Sequence, residues 1–180
     1  MRLRVAGPGD ATALSAAAGR LFHAAYRDTH TEDDLAQHIG EHLTADAFAA
    51  DLADPATRVV LAEAEGSIAG YIQLHAGAAG EAPDAVGPGP TLEVKRLYVD
   101  ARWHGQGVAG RLLATAEARA RELGAERVWL IVWERNERAK AFYRREGFRW
   151  VGSHPFRLGS RVYDDDVMVR ALRGTPDCSG

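Results

Sequence analysis

The sequence predicts an α/β protein: a mixed sheet of about seven strands with helices on both faces, in the order β-ααα-ββ-β-α-β-α-β-β. Three observations carry this reading. Strand-like and helix-like periodicities alternate along the chain instead of segregating. Residues 127–133 (RVWLIVW) are apolar on both faces, as a strand buried inside a sheet should be. Residues 91–99 (TLEVKRLYV) run through a glycine-rich loop directly into an amphipathic helix.

The elements follow in order. Residues 2–6 form a short strand, broken by Gly7-Pro8-Gly9. Asp10 opens a helix whose Leu14, Ala17, Ala18, Leu21, Phe22 and Ala25 keep helical spacing. Thr31 opens a second helix, with Glu32, Asp33 and Asp34 where the helix dipole favours acids. A third runs from Thr44 to about Ala53 and stops at Asp54-Pro55. Strands 58–63 and 67–75 flank a Glu65-Gly66 turn. Residues 76–90, rich in Gly, Pro and Ala, read as a long mobile loop within the domain. After the strand 91–99, a helix from Gly107 to Leu123 carries the stripe Val108, Leu112, Leu113, Ala116, Ala120 and Leu123, and Gly124 stops it. The buried strand 127–133 comes next. Asn136 then caps a helix closed by Gly147, and strands 148–156 and 161–169 make a final hairpin.

The bulk properties exclude several classes. The chain of 180 residues suits one domain, assigned to 1–172, with 173–180 as a C-terminal tail. A charged fraction of 26% beside 46% apolar residues excludes wholesale disorder. A formal charge of −3 lacks the basic excess of a nucleic-acid binder. The single cysteine, Cys178, cannot close an internal disulfide and suits the cytoplasm. No signal peptide or apolar run of about 20 residues is present, so we expect a soluble protein with no membrane partner.

The chemistry concentrates between residues 97 and 148. Leu97-Tyr98-Val99 leads into Arg102-Trp103-His104-Gly105-Gln106-Gly107-Val108-Ala109-Gly110, which opens a helix. Small residues leave successive backbone N–H groups uncovered at the positive end of the helix dipole, a site suited to a pyrophosphate. The loop is not a P-loop, since no Gly-Lys-Ser/Thr follows, and it makes a poor Rossmann fingerprint. Downstream stands Asn136-Glu137-Arg138-Ala139-Lys140-Ala141-Phe142-Tyr143, followed by Gly147-Phe148.

Together these segments resemble the GNAT superfamily of N-acetyltransferases, whose Arg/Gln-x-x-Gly-x-Gly/Ala signature falls here on His104, Gly107 and Ala109, with His104 departing from the usual Arg or Gln. The resemblance implies the GNAT fold with a mixed, mostly antiparallel sheet, and acetyl-CoA as co-substrate without a metal. It implies that Leu97, Tyr98 and Val99 offer backbone groups to the pantetheine arm, that His104, Gly105, Gln106, Gly107, Val108, Ala109 and Gly110 hold the pyrophosphate, and that Asn136 bonds the pantetheine or phosphate region. Tyr143 is the implied general acid at the CoA sulfur; a phenol can protonate a departing thiolate of slightly lower basicity. Glu93, eleven residues before His104, is the candidate base, or else a structural carboxylate paired with Lys95 or Arg96. Strict alternation would place it on one face with Lys95, Leu97 and Val99.

The acceptor side is read from Asp28, Glu32, Asp33 and Asp34, which would attract a cationic amine unless they serve only the helix dipole, and from Trp103 beside the loop. Segments such as Phe22-x-x-x-Tyr26, Thr31–Leu35 and Gly152–Gly159 are similar to bacterial spermidine/spermine-type (polyamine) acetyltransferases. Protein N-terminal or lysine acetylation, another small amine and a non-catalytic CoA-binding regulator are the alternatives. A homodimer through the final hairpin is what the resemblance allows by analogy. His38 and His42 read as solvated helix histidines, since His-Ile-Gly-Glu-His is not a zinc-protease motif. Asp164-Asp165-Asp166 reads as a charged hairpin edge, with cation binding as the alternative.

Overall fold

The computed structural model describes residues 1–77, 82–158 and 161–172. Cys178 and the tail 173–180 lie outside the described residues, as do 78–81 and 159–160. Strand β1 (Arg2–Val5) leads to helices α1 (Ala11–Tyr26), α2 (Glu32–His42) and α3 (Ala45–Ala53). The hairpin β2 (Thr57–Ala64) and β3 (Ser67–His75) precedes β4 (Thr91–Val99), α4 (Val108–Glu122) and β5 (Arg127–Val132). Helix α5 (Glu137–Arg145) and strands β6 (Arg149–Leu158) and β7 (Arg161–Ala171) complete the order that periodicity predicts. Local chemistry sets the boundaries. Thr31, Thr44 and Asn136 accept from the backbone N–H of Asp34, Ala47 and Ala139 to cap α2, α3 and α5.

The strands form one sheet in the order β1-β2-β3-β4-β5-β7-β6. Only the β4–β5 pair is parallel, and β7 inserts between β5 and β6. Ile72, Leu74, Leu92, Val94, Leu130 and Met168 pack on one face against Leu112, Leu113 and Ala116 of α4 and Tyr143 of α5. Val59, Leu61 and Tyr71 pack on the other against Leu14, Phe22, Leu35 and Phe48 of α1, α2 and α3. Alternation along each strand feeds both cores at once.

A bulge breaks that alternation in β4. Gln73 pairs with Arg96 and Leu74 with Val94, so Lys95 is the extra residue. A buried polar network holds it: Arg96 Nη1 donates to Gln73 Oε1 at 2.6 Å, and Gln73 Nε2 donates to Asp51 Oδ2 at 2.8 Å. Lys95 and Arg96 both reach Asp51 on α3, at 3.7 and 3.5 Å.

This corrects the expected neighbours of Glu93. It pairs with His75 and shares the α1/α3 face with Lys95, Arg96 and Tyr98, whereas Leu97 and Val99 pack on the α4 face. Strict alternation fails because two consecutive residues at a bulge point the same way.

Other expectations change for similar reasons. Because β7 lies inside the sheet, the aspartate run is not a hairpin edge: Asp165 is buried and Asp166 is ion-paired to Lys140 at 3.1 Å. His38 is half-buried instead of fully solvated; it stacks on Phe22 with ring centroids 4.4 Å apart, and burial foremost pushes its pKa down to about 4. In the segment read as a mobile loop, residues 84–86 form a 3-10 turn that buries Val86 against Trp129, Val167 and Val169.

Candidate active site

The site begins where the sheet opens. The parallel ladder joins Thr91 to Arg127, Leu92 to Val128 and Glu93 to Trp129. Beyond Glu93 no ladder joins β4 to β5 among the described residues, while β5 stays paired with β7 on its other edge along its whole length, from Arg127–Ala171 to Val132–Asp166. The β5-facing edge of residues 94–99 is thus able to receive an extended ligand as an added strand. Leu97, Tyr98 and Val99 lie along it.

Past Val99 the chain is fixed before it reaches the glycine loop. Asp100 accepts from the Arg102 backbone N–H at 3.0 Å and from Arg20 Nη1 of α1 at 2.5 Å. Hydrogen bonds from the Arg102 guanidinium foremost, then its backbone N–H and Arg20, hold the Asp100 carboxyl well below the usual carboxylate range. Gly105 and Gly107 both have φ +75, a left-handed conformation that strains any L side chain, and nothing lies within 4 Å of the Cβ positions that they lack. Gly107 is the N-cap of α4, with no side-chain cap, so the first N–H groups of the helix remain for a ligand. A bare strand edge ending at an open helix N-terminus fits the pantetheine arm and pyrophosphate of CoA.

His104 is exposed and holds this loop from outside. Its Nε2 lies 2.8 Å from the Val99 carbonyl, and Arg138 Nη1 lies 2.9 Å from its Nδ1. The carbonyl can only accept and the guanidinium only donate, so one neutral tautomer, protonated on Nε2, satisfies both. Arg138 therefore stands beside the glycine loop, and sequence reasoning missed it. The signal was its place two residues after the cap Asn136, which brings the start of α5 up to the start of α4.

Tyr143 of α5 is buried on the α4 face, with its ring 5.2 Å from Phe142 and 5.7 Å from Phe148. Burial foremost, then the neighbouring Tyr98, pushes its hydroxyl well above the ordinary phenol value, so it is held protonated. Glu93 occupies the last paired rung before the opening. Asn136 accepts from Ala139 N–H at 3.1 Å through Oδ1. Trp103 packs against the α4-face core. Asp28 is 90% exposed, and Glu32 is 74% exposed and paired with His23 at 2.9 Å.

The other face of the opening carries groups that sequence reasoning did not assemble. Tyr26, His30, Trp133 and Tyr163 form an aromatic group, with centroid separations of 5.9 Å for Tyr26–Trp133, 5.0 Å for His30–Trp133 and 5.6 Å for His30–Tyr163. The Tyr26 and Tyr98 hydroxyls interact, and burial raises both above the ordinary phenol value. Asp165 is 5% exposed; burial foremost, with the charges of Glu134 and Asp166, pushes its carboxyl up to about 6 against the favourable Glu134 backbone N–H. Two surface clefts of about 460 and 380 Å³ lie beside β1 and touch none of these residues. Among the described residues no group of three or more His, Cys, Asp or Glu could hold a metal ion, and no helix is long and apolar enough to cross a membrane.

Comparison with known proteins agrees with this geometry. The sequence profile of the acetyltransferase (GNAT) family matches residues 20–148. An uncharacterized N-acetyltransferase of Mycobacterium tuberculosis is 35% identical over 163 residues, covering 91% of this chain and 98% of that protein. An aminoalkylphosphonate N-acetyltransferase of Salmonella typhimurium is 36% identical over 104 residues, covering 58% of this chain and 64% of that protein. The crystal structure of a PaiA N-acetyltransferase from Thermoplasma acidophilum in complex with coenzyme A superposes with a TM-score of 0.77 at 18% identity, covering 96% of this chain and 100% of that one. The chain belongs to the GNAT acetyltransferase family and has its fold. It is an acetyl-CoA-dependent N-acetyltransferase.

Proposed function

We propose that this enzyme acetylates a primary amine of a small molecule, with Tyr143 as the general acid. The amine nitrogen attacks the thioester carbonyl, the C–S bond breaks, and the departing thiolate takes the Tyr143 hydroxyl proton. The observation that carries this reading is the opening between β4 and β5, with the glycine loop at its mouth and Tyr143 buried on one face of the sheet beside it. Leu97 to Val99, His104 to Gly110 and Asn136 hold the co-substrate, and Arg138 adds a cation near its phosphates. Glu93, at the last paired rung, is the candidate acceptor of the amine proton. Within the class of small amines a polyamine is the acceptor favoured by the exposed acids Asp28, Glu32 and Asp33 after α1.

The test is CoA-thiol release by the wild type and by Tyr143→Phe across a panel of amines, with acetyl-CoA affinity measured in parallel. General acid catalysis contributes ~100-fold or more. We expect kcat to fall by that order, with acetyl-CoA binding unchanged. Full turnover in the variant would remove Tyr143 from the mechanism. Glu93→Gln in the same assay should lower kcat/KM and flatten its acid limb; an unaltered pH profile would return Glu93 to a structural role.

A further inference from the structure

Among the described residues, the buried side-chain polar atoms without a hydrogen-bond partner are Tyr71 Oη, Trp133 Nε1 and Asp165 Oδ1. An orphaned buried donor or acceptor costs free energy, so native proteins keep few of them without a purpose. These atoms are not scattered. Tyr71 stacks on Tyr98, with ring centroids 5.9 Å apart. Asp165 acts electrostatically on Tyr98 and Tyr26, and Tyr26 packs edge-on against Trp133. All lie on the α1 side of the sheet, opposite the face that holds Tyr143.

We propose that Asp165 anchors the acceptor: its carboxylate pairs with the substrate's ammonium group inside the box of Tyr26, His30, Trp133 and Tyr163, while Trp133 Nε1 donates to an uncharged oxygen of the same molecule. This deepens the amine-acetylation reading, on which it rests, and narrows it away from the polyamine that the exposed acids alone favour. Aromatic faces and a desolvated carboxylate together select a cation. The indole N–H imposes a second demand, because it can only donate and an ammonium group cannot accept. Glu134 and Asp166 add negative charge around Asp165, with His154 opposite it on β6, so an anionic oxygen is disfavoured. An amino-amide or an amino-alcohol meets both demands. A polyamine or a simple alkylamine satisfies Asp165 and leaves the indole unmet.

The experiment is calorimetric titration of the full chain, saturated with CoA, with alaninamide, ethanolamine, spermidine and propylamine. It compares wild type, Asp165→Asn and Trp133→Phe. A hydrogen bond between charged partners is worth ~10-fold or more in affinity. Asp165→Asn should therefore weaken every amine by at least that factor while CoA affinity, which reports an intact fold, is kept. Trp133→Phe should weaken alaninamide and ethanolamine several-fold and leave propylamine unchanged. Amines binding Asp165→Asn as they bind wild type, or no amine binding wild type, would overturn the anchor. Equal wild-type affinity for propylamine and the oxygen-bearing amines would overturn the role of Trp133. Thiol release from acetyl-CoA, measured on the same variants without added CoA, separates the readings. An amine that binds through Asp165 without release of CoA thiol from acetyl-CoA supports the anchor and sinks the reading that such small amines are the acetyl acceptors.

Discussion

Asp165 is the buried middle member of the aspartate run on β7. Its carboxyl is raised from 3.8 to about 6 in the folded protein, burial being the main cause. A group raised on folding favours the native state fully below its unfolded pKa, and that advantage is lost as pH rises through the folded value. Ionised Asp165 is therefore a burden above pH 6 and none below pH 4. Asp165→Asn should stabilise the protein at pH 7.5 by on the order of 2 kcal/mol, a rise in Tm of roughly 4–8 °C, and the gain should vanish by about pH 4. Thermal melts across that range decide it, and a variant that melts lower at pH 7.5 refutes it. This residue also shows where sequence reading stops. Three consecutive aspartates look like a solvated edge, and only the insertion of β7 between β5 and β6 buries the middle one. The glycine loop before α4 was legible because it depends on adjacent residues, whereas Tyr143 was singled out only through the family resemblance. The box of Tyr26, His30, Trp133 and Tyr163 was not, because its members come from distant segments.

At the scale of elements, periodicity and caps located every helix and strand among the described residues to within a few positions. What they missed is how elements are tied together. Lys140 drew no reading from the sequence, yet its side chain is 9% exposed and bonded to Glu137 at 2.6 Å, to Asp166 at 3.1 Å and to the Glu134 carbonyl. It fastens the first turn of α5 to β7 and to the chain leaving β5, and so helps place Tyr143 one turn further along. Removing one partner of a buried pair strands the other, at about 3–5 kcal/mol. Lys140→Ala should lose stability of that order, little changed by salt because the pair is shielded. Lys140→Met combined with Asp166→Leu should recover most of it. Denaturant unfolding of both variants checks this, and a double variant as unstable as the single one would show that the pair itself holds the helix. The β4 bulge gives the same lesson. No residue type announces it, since Lys95 and Arg96 are ordinary strand residues until Asp51 arrives from α3.

At the scale of the whole molecule, the order β1-β2-β3-β4-β5-β7-β6 could not be read from the chain, because adjacency of β5 and β7 depends on contacts far apart in sequence. That order has a mechanical consequence. Strands β1 to β4 with α1, α2 and α3 meet β5 to β7 through a parallel ladder from Thr91–Arg127 to Glu93–Trp129, through packing on α4 and α5, and through the ring contacts of Tyr26 and His30 with Trp133 and Tyr163. A ligand lying in the opening would bridge both parts of the sheet and pair with backbone groups of β4 that no strand covers. Binding to the native state alone adds ~4 kcal/mol at a thousandfold excess over Kd, so saturating CoA should raise Tm by roughly 10 °C. The increase should be localised as well as global. Amide exchange should slow most at residues 94–99 and 105–110 and least in β1, which lies at the far edge of the sheet. Replacing Gly107 with glutamate, which sets a carboxylate at the mouth and strains a left-handed position, should abolish both effects while leaving the unliganded melt within a few degrees. Protection spread evenly over the sheet would mean that CoA stabilises by mass action without occupying the opening, and the assignment of β4 as its docking edge would fall.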